Sequence, residues 1–196
     1  MKINMPVTEV EYVLSDADTI VSKTDTKGVI TYINDDFVRI SGYSREELIG
    51  TSHNIVRHPD MPEEAFEDLW VSLKSGRAWS GYVKNRSKDG SYYWVHANSL
   101  PLYENGQIVG YTSVRGKPDR TTVEHLSLIY RLFREGKAWN LKIKDGKVEK
   151  NTLFRNFYIF NQLTIKTRLT SVIALLSVLL FAIGAWGLFG MSKSNE

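Results

Sequence analysis

The run Arg57-His58-Pro59-Asp60-Met61-Pro62 sets a cation, an imidazole and a carboxylate within six residues. Arg57 and His58 supply positive charge and hydrogen-bond donors. Pro59 keeps the backbone extended and biases His58 away from helix. Asp60 then falls where a helix N-cap belongs, with Pro62 near the first helical position and Glu63 and Glu64 in the first turn. The corner is stiff and aims its polar groups at whatever lies beside the helix. Its chemistry is recognition rather than catalysis. No acid–base pair, nucleophile or metal cluster stands out, and His53, His58, His96 and His125 do not share a helix at ligand spacing. The chain has no cysteine, which excludes disulfides, thiolate metal sites and a cysteinyl–cofactor link.

A second group of candidates lies on two strands. Alternation along residues 79–86 puts Trp79, Gly81, Val83 and Asn85 on one face. Asn85 carries both a donor and an acceptor. Gly81 leaves space, and Trp79 offers a stacking surface. Tyr93 and Val95 share the corresponding face of the next strand, leaving Trp94 and His96 to point outward, where the sheet can meet another protomer or the basic segment. The helix after the corner turns Ala65, Phe66, Leu69, Trp70 and Leu73 to one side and stops at Gly76.

These residues need a scaffold, and the rest of the pattern supplies one. Residues 20–24 and 29–33 read as strands around the turn Asp25-Thr26-Lys27-Gly28. Asn34-Asp35 opens a short helix, and Ser44 with Glu47 forms a capping box closed by Gly50. Residues 79–86, 92–102 and 108–115 are strands joined at Lys88-Asp89-Gly90 and Asn105-Gly106. Two strands, several short helices and three strands make an α+β fold: a five-stranded antiparallel sheet with short helices on one face and a pocket between them. Beyond it, residues 121–135 carry Val123, Leu126, Ile129, Tyr130 and Phe133 at helical spacing, and residues 141–148 alternate around Asp145-Gly146 as a small hairpin.

The net charge of +3 hides a split. Residues 1–120 carry 14 basic and 17 acidic side chains, net −3, whereas residues 121–168 carry 10 and 4, net +6. The basic excess therefore belongs to a connecting segment, which argues against nucleic acid as a partner and for a membrane surface. Residues 169–192 carry no charge. About 20 helical residues cross the ~30 Å hydrocarbon core. Lys150, Arg155, Lys166 and Arg168 precede that run, which sets the N-terminal part on the cytoplasmic side. The aromatic-rich residues 153–160 suit a bilayer interface. No N-terminal signal peptide is expected. The expected organisation is an N-terminal arm at 1–18, a sensor domain at 19–120, a basic linker with an amphipathic helix at 121–168, a transmembrane helix at 169–191 and a tail at 192–196, the chain being cut just past its first crossing.

The strand order, Gly42-Tyr43-Ser44-Arg45-Glu46-Glu47-Leu48-Ile49-Gly50 and Lys88-Asp89-Gly90 together resemble a PAS domain over residues 19–119. More narrowly, residues 53–62, Trp79-Ser80-Gly81 and Val83-Lys84-Asn85-Arg86 resemble the bacterial aerotaxis-receptor family. That resemblance implies a PAS fold holding FAD without a covalent bond, on the cytoplasmic side of the inner membrane. The flavin's redox state would report on respiratory electron flow or oxygen. Signals would pass through HAMP and methyl-accepting signalling domains to the chemotaxis kinase and adaptor, in a homodimer or larger receptor oligomer, with no enzymatic activity of its own.

The resemblance also implies roles. Asn85 meets the pyrimidine edge of the flavin, as an Asn in the matching strand does in light-sensing LOV domains. Those domains also need a cysteine, absent here, so their photocycle is excluded. Arg57, His58 and Asp60 resemble residues the family needs for FAD. Arg57 meets the pyrophosphate or pairs with Asp60. Asn34 contacts the flavin or caps a helix. His53 is a donor at the pocket rim, Trp70 and Trp79 are pocket wall or core, and Tyr93 points into the pocket. Arg115 stands where LOV-type domains place a flavin-facing Gln, and its charge would favour an anionic reduced flavin. Two other readings stay open: a haem-based PAS gas sensor, which needs an axial histidine, and a PAS interaction module with no ligand.

Overall fold

The structure, a computed structural model, describes residues 4–151 and, beyond them, Thr167, Thr170 and Ser177. Its sheet is built by alternation. In β3 (Trp79–Arg86), Trp79, Gly81, Val83 and Asn85 are buried, while Ser80 is exposed and Tyr82 and Lys84 are half-buried. β1 (Ile20–Asp25), β2 (Ile30–Ile33), β4 (Tyr92–Glu104) and β5 (Gln107–Gly116) complete a five-stranded sheet in the order β2-β1-β5-β4-β3. Every pairing in it is antiparallel. The sequence places the end of the fourth strand at residue 102. Instead β4 runs to Glu104, because pairing with β5 resumes after an irregularity at Leu102/Tyr103 and continues to the turn.

One face of the sheet carries α1 (Asp35–Ser41), the single-turn α2 (Arg45–Leu48), a 3₁₀ turn (His53–Val56) and α3 (Glu63–Lys74). Local signals place them. The Asn34 side chain accepts from Phe37 N at the start of α1, and both arms of the Ser44/Glu47 capping box are made at α2. The start of α3 departs from expectation. Asp60 does not cap it; Pro62 holds the N-cap position, with no side-chain cap bond. The carboxylate of Asp60 is drawn away by two cations, Lys84 at 2.7 Å and Arg134. A charge-assisted pair outweighs a single neutral cap bond.

The other face is covered in part by α4 (Arg120–Arg134). Its Tyr130 stacks on Trp94, with ring centroids 6.1 Å apart, and donates from its hydroxyl to Tyr82 O at 3.1 Å. Trp94, on the outward side of β4, is thereby buried by the chain's own basic segment. The N-terminal arm also packs on the domain, where Arg86 donates to Pro6 O at 2.6 Å and to Met5 O at 3.0 Å. After α4 comes the hairpin of β6 (Leu141–Lys144) and β7 (Lys147–Lys150). The chain divides into units 1–150 and 151–196. Among the described residues no helix is long and apolar enough to cross a membrane. The membrane helix expected at 169–191 and the aromatic stretch at 153–160 lie outside the described residues, Thr170 and Ser177 apart.

Candidate ligand site

Between α3 and the sheet lies a cleft with a cavity of about 80 Å³. The sheet supplies its floor: Ser22 of β1, Val83 and Asn85 of β3, Ala97 and Ser99 of β4, and Ser113 and Arg115 of β5. Register explains the gathering, because Ala97 and Arg115 are direct cross-strand partners, as are Ser99 and Ser113. Small side chains keep the floor low. The wall is Phe66, Leu69, Trp70 and Leu73, the stripe the sequence pattern assigned to this helix, and the rim is His53, Asn54 and Arg57.

Two groups give the cleft its electrostatics. Arg115 is buried at 7% exposure, donates to Ser22 Oγ from both terminal nitrogens at 3.1 Å, and meets no carboxylate among the described residues. Burial lowers its pKa to about 10, so it remains a cation at neutral pH. His53 lies beside it, with Nε2 2.8 Å from Arg115 Nη2. Because Arg115 only donates, Nε2 is the accepting nitrogen and the ring is neutral. Burial first, and the Arg115 charge second, lower the His53 pKa to about 3. Asn85 is 4% exposed, and its amide has no hydrogen-bond partner among the described residues. Tyr93, its cross-strand neighbour, is fully buried with an unpaired hydroxyl. Burial raises the Tyr93 pKa, which keeps that hydroxyl a neutral donor.

The structure thus brings His53, Arg57, Trp70, Asn85 and Arg115 to one cavity. The remaining candidates sit elsewhere. Asn34 lies away from the cavity lining, its amide engaged by Val21 N at 2.9 Å, Phe37 N at 3.2 Å and Thr19 O at 2.6 Å. Trp79 turns its indole N–H to Asp68 at 2.7 Å and lines a different groove. His58 accepts from Asp60 N through Nδ1 at 3.0 Å, while its Nε2 is buried without a partner and its ring meets Tyr92 edge-on. Arg57 does not take the Asp60 carboxylate; it donates to Met61 O at 3.0 Å and lies 4.1 Å over the Phe66 ring. Sequence reasoning missed Ser22, which orients Arg115, and Asp68, which holds Trp79. The usable signal was alternation: Ser22 lies two positions after Ile20 on the inward row of β1 and is a buried polar residue.

A PAS-fold family profile matches residues 30–115. The aerotaxis receptor of Escherichia coli (strain K12) is 41% identical over 178 residues, covering 90% of this chain and 34% of that receptor. The chain carries a PAS domain of the aerotaxis-receptor type. It spans about a third of that receptor's length. The bacterioopsin transcriptional activator of Halobacterium salinarum is 32% identical over 47% of this chain and 14% of its own. A solved light-oxygen-voltage domain studied with a flavin analogue shares the fold at TM-score 0.52, with 22% identity, covering 59% of this chain and 88% of that one. A profile described as a Tar ligand binding domain homologue matches residues 159–196.

The residues of this PAS cleft suit a flat, polar-edged aromatic ligand. The floor is low, the Asn85 amide has both of its functions available, and Arg115 offers charge to a group that becomes anionic. Flavin has those properties. The cavity is smaller than the ~150 Å³ that admits a benzene ring, so a tricyclic ring would need its lining to part.

Proposed function

We propose that the PAS domain holds FAD without a covalent bond in the α3–sheet cleft and senses redox state or oxygen on behalf of a membrane-anchored chemotaxis module. The observation that carries this reading is Arg115, a buried cation facing the cavity with no carboxylate among the described residues. A buried charge without a counter-charge is costly. It is retained where a ligand's charge offsets it. When bound, the flavin supplies reversible electron uptake that makes its ring more negative. Asn85 holds and orients the ring edge, and the neutral His53 keeps the Arg115 guanidinium in place without competing for its charge. Asp60 and His58 act on the corner's geometry rather than as ligand contacts, and Asn34 acts as a cap.

The larger role follows the relative's name. The chain is proposed to work by binding rather than catalysis, in a homodimer or larger receptor array. Residues 169–191 anchor it in the inner membrane, with the PAS domain on the cytoplasmic side. Its output reaches the chemotaxis kinase and adaptor through domains beyond this sequence. The boundaries 1–18, 19–120, 121–168, 169–191 and 192–196 belong to the same proposal.

A haem reading has little support: His53 is engaged by Arg115, and His58 by Asp60 N. The ligand-free interaction module is favoured by one observation, the small cavity. One spectrum separates the readings. The purified, detergent-solubilised chain is expected to show bands near ~450 nm that bleach with dithionite, as a bound flavin does. A Soret band would support haem, and a colourless folded chain would support the interaction module.

A further inference from the structure

Asp68 sits on α3 one residue before Leu69 and two before Trp70, both of which line the cavity, yet its carboxylate serves the other side of the helix. It accepts from Trp79 Nε1 at 2.7 Å, from Gly146 N at 2.7 Å and from Asp145 N at 2.9 Å. Asp145 and Gly146 form the turn between β6 and β7. Two successive turn N–H groups presented to one carboxylate make an anion nest. Asp145 completes the joint by accepting from Ser72 Oγ at 3.2 Å, in the last turn of α3, and from Arg77 at 2.7 Å, just beyond the helix.

The seat is tight. A Cβ on Gly146 would come 1.9 Å from Ser80 O, and one on Gly81 would come 2.5 Å from the Trp79 ring and 3.2 Å from Gly146 Cα. The hairpin therefore docks only while α3, Trp79 and β3 keep their present spacing. The cavity's floor is a hydrogen-bonded sheet, whereas its wall is one helix with no side-chain cap at its start. A ring entering the cavity would press on this wall, which carries Asp68.

We propose that Asp68 is the positioning residue that couples the cavity wall to the β6–β7 hairpin, releasing the Asp145–Gly146 turn when α3 is displaced. The hairpin is the last element before residue 151, where the second unit of the chain begins. Its undocking is thus how a change in the cavity is passed along the chain. The identity of the ligand in this scheme rests on the flavin reading; the coupling does not.

The test is hydrogen exchange, read by mass spectrometry, on the full chain in detergent. Asp68→Asn is expected to speed exchange of residues 141–150 by about 10- to 100-fold, the scale of losing hydrogen bonds to a charged acceptor. Gly146→Ala leaves Asp68 intact but denies the hairpin its seat. Because coupling is reciprocal, it is expected to speed exchange in residues 63–74, a response that a merely decorative hairpin would not produce. Should Asp68→Asn fail to fold, Gly146→Ala decides alone. Unchanged exchange at 141–150 in Asp68→Asn overturns the proposal, as does a hairpin freed by Gly146→Ala with residues 63–74 unmoved. An absorbance spectrum of each sample keeps the two ideas apart: a missing flavin band removes the flavin reading, while the exchange result still decides the coupling.

Discussion

Arg115 donates to His53 Nε2 across 2.8 Å, and the pair faces the cavity with no carboxylate on Arg115 among the described residues. A neutral imidazole orients the guanidinium and leaves its charge intact. The proposed consequence is electrostatic: positive charge beside a flavin stabilises the form with added electrons. Arg115→Gln keeps a polar side chain and removes the charge. It is expected to lower the midpoint potential by on the order of 60 mV, a tenfold change for a one-electron couple. Spectroelectrochemical titration measures this directly. An unchanged potential would take Arg115 out of the redox argument.

Asn85 makes a contrasting prediction. Its amide lines the cavity and makes no hydrogen bond among the described residues, so it contributes little to folding. Asn85→Ala is expected to leave the melting temperature of the flavin-free chain within a few degrees. Flavin retention should fall by about tenfold or more, the scale of one or two lost hydrogen bonds in a dry site. The ratio of flavin to protein absorbance after gel filtration gives the result. Full retention in the variant would mean that the amide does not meet the ligand.

The fold was largely legible in the chain, for physical reasons. Period-two alternation marked β3 and β4, and Asn105-Gly106 supplied the positive φ angles, 50° and 78°, that a two-residue hairpin requires. Alternation also put Asn85 and Arg115 on the inward face. The errors arose where a long-range charge decided a local matter. Asp60 is well placed in sequence to cap α3, but Lys84 and Arg134 compete for it from 24 and 74 residues away. Trp79 reads as pocket wall or core; its N–H goes to Asp68 and it lies off the cavity lining. Such pairings depend on which elements the topology brings together, and no spacing rule encodes them.

Asp60 joins the corner, β3 and α4 through Lys84 and Arg134. Burial tends to raise its pKa, but the hydrogen bond and charge of Lys84, with help from His58 and Arg134, hold it below the ordinary carboxylate value. Lys84 is mostly buried, whereas Arg134 is more than a third exposed, so solvent screens the second pair more. Double-mutant cycles are expected to give about 1 kcal/mol for Asp60–Lys84 and less for Asp60–Arg134. Asp60→Asn should loosen α4 in hydrogen exchange and leave the flavin potential unchanged. A shifted potential with unaltered exchange would instead make Asp60 a ligand contact.

Two histidines, His58 buried and His53 half-buried at the cavity rim, predict an acid limit. Burial first, then the Lys84 charge, lowers the His58 pKa to about 4; burial first, then Arg115, lowers that of His53 to about 3. Both values lie below the ~6.5 of an unfolded histidine. As pH falls through 6.5 the unfolded chain takes up protons that the folded one refuses. Stability is therefore complete above about pH 6.5 and declines toward pH 3–4. At about 1.4 kcal/mol per pH unit, His58 alone contributes a loss of roughly 2 kcal/mol by pH 5. His53 adds less, because part of its surface opens on the cavity. For a chain of this size the sum lowers the melting temperature by about 5–10 °C between pH 7 and pH 5. His58→Phe removes one titrating group and should flatten part of that slope, at some cost in stability at pH 7. A melting temperature that is constant from pH 7 to pH 5 would mean that neither histidine is held neutral.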